Sequence, residues 1–197
     1  MDALERFAHE TYTVRKKIFN FLSTGFHIYG PNDELAMYCK MKAFKLKEDL
    51  RLYTDESLST EVLTIQADRV IDFSAAYTVK DPTTGETVGA LRRKGLKSIL
   101  RDEWTVIGTN GQELGKIIED STLKALARRF IDLLALFMPQ KYHVEFGGQT
   151  ICTMQQTFNP FLMKLVVDFT PDTRNQLDPR LGLAAAVLLC AIEGKQR

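Results

Sequence analysis

The densest charge in the chain is Arg92-Arg93-Lys94-Gly95-Leu96-Lys97-Ser98-Ile99-Leu100-Arg101, with five cations and no acid in ten residues. Guanidinium groups hold phosphate through paired hydrogen bonds, and lysine adds a compact point charge. Gly95 would let the backbone come close to such a ligand. Arg92, Arg93, Lys94, Lys97 and Arg101 are therefore a candidate anion site. The competing reading is a solvated turn whose cations pair with Asp102, Glu103 or other surface acids, since clustered like charges repel unless something answers them. A second basic run, Lys40, Lys42, Lys45 and Lys47, alternates imperfectly with Met41, Phe44 and Leu46, and Glu48 and Asp49 follow at once. Lysine on edge strands blocks unwanted pairing, so this run reads first as strand decoration. It would widen an anion-binding surface only if the fold carries both runs to one face.

Other chemistry finds little purchase. His9, His27 and His143 are isolated in sequence, with no partner at metal-ligand spacing. The chain has no G-x-S-x-G elbow, phosphate-binding glycine loop, H-E-x-x-H or D-x-D-x-D-G calcium loop. Asp68, Asp72, Asp102 and Asp168 would have to be gathered by the fold to act together as carboxylates. Cys39, Cys152 and Cys190 are far apart, odd in number and set in apolar stretches, which reads as three buried thiols in a reducing compartment. No cofactor, metal or catalytic residue is called for, although an active site at a barrel rim is kept as the least favoured alternative. Twenty-six Lys and Arg against 25 Asp and Glu leave a net charge of +1. That balance argues against a nucleic-acid partner, as does the lack of a helix-turn-helix or finger.

The elements that must position these residues are mostly strands. At 197 residues the chain fits one domain, residues 1–197, with a core large enough to stand without staples. Turn signals recur at Gly30-Pro31-Asn32-Asp33, Asp81-Pro82-Thr83-Thr84-Gly85, Asn110-Gly111 and Gly147-Gly148. Between them, apolar and polar residues alternate: Tyr142, Val144 and Phe146 share one face, and Met163, Leu165, Val167 and Phe169 another. About a dozen short strands fit between Thr11 and Thr170, the density of a sandwich or barrel.

Two segments break that pattern. Over about residues 121–138, Leu123, Leu126, Ala127, Phe130, Leu134 and Phe137 follow three-and-four spacing, which predicts an amphipathic helix outside the sheet. Over about residues 179–193, Asp178 is a good N-cap, Pro179 suits the first helical position and Gly194 the C-terminal cap. From Leu181 to Ile192 no residue is charged or strongly polar. A helix apolar on every side must be surrounded, and twelve residues span about 18 Å, too short for a bilayer core of about 30 Å. The inference is a helix threaded through a β-barrel.

A series of segments resembles the LURP-one-related family: Lys42-Ala43-Phe44-Lys45-Leu46-Lys47-Glu48-Asp49, Val70-Ile71-Asp72-Phe73-Ser74, Arg92-Arg93-Lys94-Gly95-Leu96-Lys97-Ser98 and Arg101-Asp102-Glu103-Trp104. Phe158-Asn159-Pro160-Phe161 and Asp178-Pro179-Arg180-Leu181-Gly182-Leu183-Ala184-Ala185-Ala186 complete it, in order from about Tyr12 to Gly194. The resemblance places the chain beside the tubby C-terminal domain and the phospholipid scramblases. It implies a mainly β fold, a roughly twelve-stranded antiparallel barrel around a hydrophobic C-terminal helix. Tubby domains bind phosphoinositide head groups through basic residues, whereas this chain lacks the scramblases' cysteine-rich palmitoylation stretch. The expectation is a non-enzymatic tubby-like domain that binds an anionic membrane surface, a phosphoinositide or another phosphorylated ligand through its basic loop. The alternative is a protein-interaction or structural module with no lipid ligand. The acidic N-terminus lacks a signal-peptide core and no transmembrane span is apparent, so a cytoplasmic, peripherally membrane-associated protein is expected.

Overall fold

Period-two alternation makes strands here because each apolar side chain can be buried on one face while its polar neighbours stay outside. The computed structural model describes residues 5–20, 23–42, 49–68, 76–93, 103–120, 139–157 and 163–193. A short 3-10 turn, Glu5–Phe7, precedes β1 (Thr11–Asn20), β2 (Ser23–Tyr29), β3 (Leu35–Lys42) and β4 (Asp49–Tyr53). Then come β5 (Glu61–Ala67), β6 (Ala76–Lys80), β7 (Thr87–Arg93) and β8 (Glu103–Ile107). The last strands are β9 (Glu113–Glu119), β10 (Lys141–Phe146), β11 (Gln149–Thr157) and β12 (Lys164–Asp168), followed by one helix, α1 (Pro179–Glu193). The expected outer helix over 121–138 lies outside the described residues.

Every strand pairs antiparallel with its neighbours in sequence, and β1 pairs with β12 to close a twelve-stranded barrel. The closing register runs from Thr11 opposite Asp168 to Arg15 opposite Lys164. Of the two architectures left open by the strand density, closure selects the barrel, which leaves no unpaired edge. The two-residue turn between β10 and β11 uses Gly147 and Gly148 at φ +56° and +79°, the left-handed pair that matches strand twist. Gly115 on β9 marks a close backbone approach: a Cβ there would stand 2.0 Å from the carbonyl oxygen of Glu145.

The core takes one residue in two along strands such as β1, β4, β6, β10 and β12, and runs buried on both faces at 25–28, 36–39, 62–65 and 104–107. Tyr12 and Val14, Phe26 and Ile28, Met37 and Cys39, Leu50 and Leu52, and Trp104 and Val106 are all buried. From Leu181 to Ala191 every residue of α1 is buried too, and α1 contacts β1, β5, β7 and β12, strands from well-separated parts of the ring. Asp178 caps α1 as its type predicts, Oδ1 accepting the Arg180 backbone N–H at 2.9 Å. Leu181 sits over Gly89, where a Cβ would meet its Cδ2 at 3.0 Å. At the other end of α1, Leu189 and Cys190 lie with Tyr142, Gln156, Met163 and Leu165 around a small cavity. Among the described residues no helix is long and apolar enough to cross a membrane.

The three thiols follow the core pattern. Cys39, Cys152 and Cys190 are free and buried, and burial raises each to about 12, so none is a nucleophile at neutral pH.

Candidate functional site

An up-and-down barrel has two rims, and here their charges differ. At one rim, β2 turns to β3, β4 to β5, β6 to β7, β8 to β9 and β10 to β11, and β12 leads into α1. The stretches 5–10, 30–34, 54–60, 81–86, 108–112, 147–148 and 169–178 at that rim hold ten Asp and Glu against two Arg. The opposite rim is where odd-numbered strands end and even-numbered strands begin. Its described strand ends carry Lys17, Lys40, Arg92 and Lys141, all exposed, and Lys16, Arg93 and Lys164, all half-buried. Asp49, Asp68, Glu103, Glu119 and Asp120 stand among them. The net charge of +1 thus conceals two rims of opposite sign.

The described ends of both basic runs lie at the second rim. Lys40 and Lys42 close β3, and Arg92 and Arg93 close β7. Four strand-to-strand steps separate β3 from β7 around the ring, an arc of roughly 19 Å at about 4.8 Å per step. Lys45, Lys47, Lys94, Lys97 and Arg101 lie outside the described residues, in the segments that link β3 to β4 and β7 to β8. In sequence those five cations share their segments with only Glu48 and Asp102.

Strand alternation separates Arg92 from Arg93. Arg92 is exposed and its Cα partners are Ala76 and Thr105. Arg93 is opposite Trp104, and its guanidinium lies 5.9 Å from the centroid of that ring, within cation–π range. Trp104 in turn packs against Tyr77 with ring centroids 5.9 Å apart. Burial raises the Tyr77 phenol above its ordinary value, and the charge on Arg93 opposes that rise. Arg93 therefore stands on the aromatic wall of the barrel mouth while Arg92 faces outward.

The inner side of this mouth is polar as well. Glu119 is only 4 % exposed, and its Oε1 accepts from Gln140 Nε2 at 3.4 Å. Gln156 Oε1 accepts the Gln140 backbone N–H at 3.2 Å, tying β11 to the start of β10.

The histidines, isolated in sequence, each acquire a carboxylate neighbour through the fold, all toward the acidic rim. His143 Nε2 lies 3.1 Å from Glu145 Oε1, and His9 Nε2 lies 3.3 Å from Glu34 Oε1, an ion-pair distance without hydrogen-bond geometry. His27 is the best built of the three: it is 6 % exposed, stacked on Tyr29, tilted against Tyr38 and bonded to Glu56 at 2.5 Å. Strand order also separates two of the candidate carboxylates. Asp68 follows β5 at the basic rim and accepts from Thr78 Oγ1, whereas Asp168 ends β12 at the acidic rim and accepts from Thr170. Asp72 and Asp102 lie outside the described residues. Among the described residues no group of three His, Cys, Asp or Glu is placed to hold a metal ion. A cleft of about 440 Å³ at the acidic rim is lined by Glu113, Lys116, Glu145 and the Gly147-Gly148 turn, with Lys116 engaged by Glu103 at 3.2 Å.

The His27–Glu56 bond ties the β4–β5 turn to the barrel wall, and it carries a pH dependence. The Glu56 carboxyl is held below its ordinary value of 4.5, chiefly by the hydrogen bond from His27. A depressed carboxylate contributes stability above its unfolded value and loses it as pH falls through the folded one. Glu56→Gln is therefore expected to melt lower than the parent at pH 6. The gap should close as the pH drops below 4.5, which thermal melts across pH 3–6 would read directly.

Residues 35–190 match the family model of the LURP-one-related proteins. The chain belongs to the LURP-one-related family. No curated protein matches it at a significant level. In this LURP-one-related chain the matched region begins at β3 and ends within α1. It takes in the strand ends that carry Lys40, Lys42, Arg92 and Arg93, and also the Asp178 cap.

Proposed function

We propose that this LURP-one-related protein is a non-enzymatic, tubby-like binding domain whose basic rim holds an anionic phospholipid or another phosphorylated ligand. In this reading α1 is the plug of the barrel, surrounded by strands, and the mouth at its C-terminal end is the working surface. The protein is cytoplasmic and meets the membrane peripherally. One observation carries the proposal: the ends of both basic runs, Lys40 and Lys42 on β3 and Arg92 and Arg93 on β7, reach the same rim. The burial of every residue from Leu181 to Ala191 and the contacts of α1 with β1, β5, β7 and β12 support the plug.

Each Lys or Arg near an anionic bilayer is worth about 1 kcal/mol. Three exposed cations, Lys40, Arg92 and Lys141, are therefore enough for reversible association. The test is flotation with neutral, phosphatidylserine and phosphoinositide vesicles at low and physiological salt. Soluble inositol phosphates serve as competitors that separate head-group recognition from surface charge. Binding to anionic vesicles should weaken with salt and fall at least tenfold when Arg92, Arg93 and Lys94 are reversed to glutamate. Absence of flotation at low salt would remove the lipid reading and turn attention to an acidic protein partner.

A further inference from the structure

We propose that the protein docks end-on, with the basic rim against the anionic head groups, the acidic rim held away from the bilayer and α1 aiming its C-terminus at the membrane. This inference rests on the lipid reading above and adds a direction to it. A charged rim alone would permit many poses. Three further observations narrow them.

The first is the opposite rim. Its turns hold ten acids against two arginines, so a bilayer of negative head groups repels it. The two rims are joined by α1, whose 15 residues span about 22 Å. That separation exceeds the roughly 8 Å over which charge is felt at physiological salt. The membrane therefore senses one rim at a time, attracted by one and repelled by the other.

The second is the wall between the rims, where cations are already answered. Arg15 is paired with Asp33. Arg51 is held by Asp49 at 2.8 Å and Glu61 at 2.7 Å, and Lys116 by Glu103 at 3.2 Å. A side-on pose would press these neutralised pairs and part of the acidic rim against the bilayer. At the end, by contrast, Lys40, Arg92 and Lys141 are exposed at the tips of their strands.

The third is the helix. The aligned peptide dipoles of α1 put partial positive charge at its N-terminus and partial negative charge at its C-terminus. The N-terminus is at the acidic rim, where Asp178, Asp81 and Glu86 surround Arg180. The C-terminal turns, Leu189 and Cys190, lie toward the basic rim. Each rim's side-chain charge is thus opposite to the helix end it faces. The segregation of charge is consequently favourable within the fold and is kept when the protein is free in solution.

The chain is suited to a direct test because its native thiols are buried and it has a single tryptophan, Trp104, near the basic rim. One added cysteine can be labelled selectively at an exposed position, Thr157→Cys at the basic rim or Thr109→Cys at the acidic rim. Each labelled full-length protein is mixed with phosphatidylcholine–phosphatidylserine vesicles carrying a nitroxide quencher in the head group. The fluorophore at 157 should be quenched at least three times as strongly as that at 109. Trp104 should be quenched as well, and 0.5 M salt should abolish all three signals. Flotation with equal quenching at 157 and 109, or stronger quenching at 109, overturns end-on docking and leaves lipid binding standing. Failure to float overturns both.

Discussion

Replacing Ala185 by aspartate is expected to abolish the folded protein, and replacing it by leucine to lower the melting temperature by roughly 3–10 °C. Ala185 is 3 % exposed and sits between Ala184 and Ala186, which are fully buried, on a helix with no polar face. Three consecutive alanines keep the helix slim, so neighbouring strands can approach it on several sides. Leucine adds three carbons to a space already closed, and such overpacking typically costs about 1–3 kcal/mol. An aspartate would have to bury its carboxylate without a partner or fold protonated, and either route costs several kcal/mol. Leucine or aspartate at Thr83, an exposed turn position, should leave the melting curve nearly unchanged and controls for handling. Parental melting of both Ala185 variants would sink the plugged-barrel reading.

The second large effect is expected at Arg180. Its guanidinium bonds Asp178 through Nε and Nη2, the latter at 2.7 Å, and reaches Asp81 at 3.1 Å and Glu86 at 3.4 Å through Nη1. These contacts hold it protonated far above the ordinary range, hydrogen bonding to Asp178 being the largest cause. They join the first turn of α1 to the β6–β7 turn, residues 99 apart in sequence in the case of Asp81. Arg180→Met would keep the stem but leave three carboxylates crowded without their cation. Removing one partner of a fully buried pair typically costs about 3–5 kcal/mol. Partial exposure of the site lowers the expectation to roughly 2–4 kcal/mol, or a melting temperature lower by about 5–15 °C. Arg180→Lys should recover less than half of it, because an ammonium cannot serve several carboxylate oxygens through one planar fork. A double-mutant cycle with Asp81→Asn reads the coupling, and strict additivity of the two losses would show that the pair contributes nothing jointly.

Much of this architecture was legible from local pattern. The cap and start of α1 were marked by Asp178 and Pro179, and its all-round apolarity matched its burial. The alternation of Tyr142, Val144 and Phe146 named the inner face of β10 correctly. Patterns of this kind are legible because they depend on residues two to four positions apart. The site depends on register instead, and register is set by pairing between distant segments. Nothing within the sequence around His27 announces Glu56, which comes from the β4–β5 turn 29 residues away and bonds it at 2.5 Å. Arg92 and Arg93 read as one clamp in a linear scan, but adjacent residues of a strand point to opposite faces, and they belong to different surfaces. The polarity between rims was hidden for a related reason. Composition sums charge over the whole chain, whereas an up-and-down barrel sorts alternate connections to opposite ends.

The pairing of β1 with β12 also sets the order in which this molecule can be made. Eleven of the twelve strand contacts link neighbours in sequence and can form as the chain emerges, but the seam from Thr11 to Asp168 needs almost the whole polypeptide. Until that seam zips, the growing sheet has two raw edges, each a template for pairing with another chain. The apolar α1 follows β12 in sequence and packs against β1, β5, β7 and β12, so its partners come from both ends of the chain. Ring closure and helix burial are therefore both late steps, and long-range closure of this kind is slow. Slow closure makes the nascent sheet, rather than the finished barrel, the species most in need of chaperone protection.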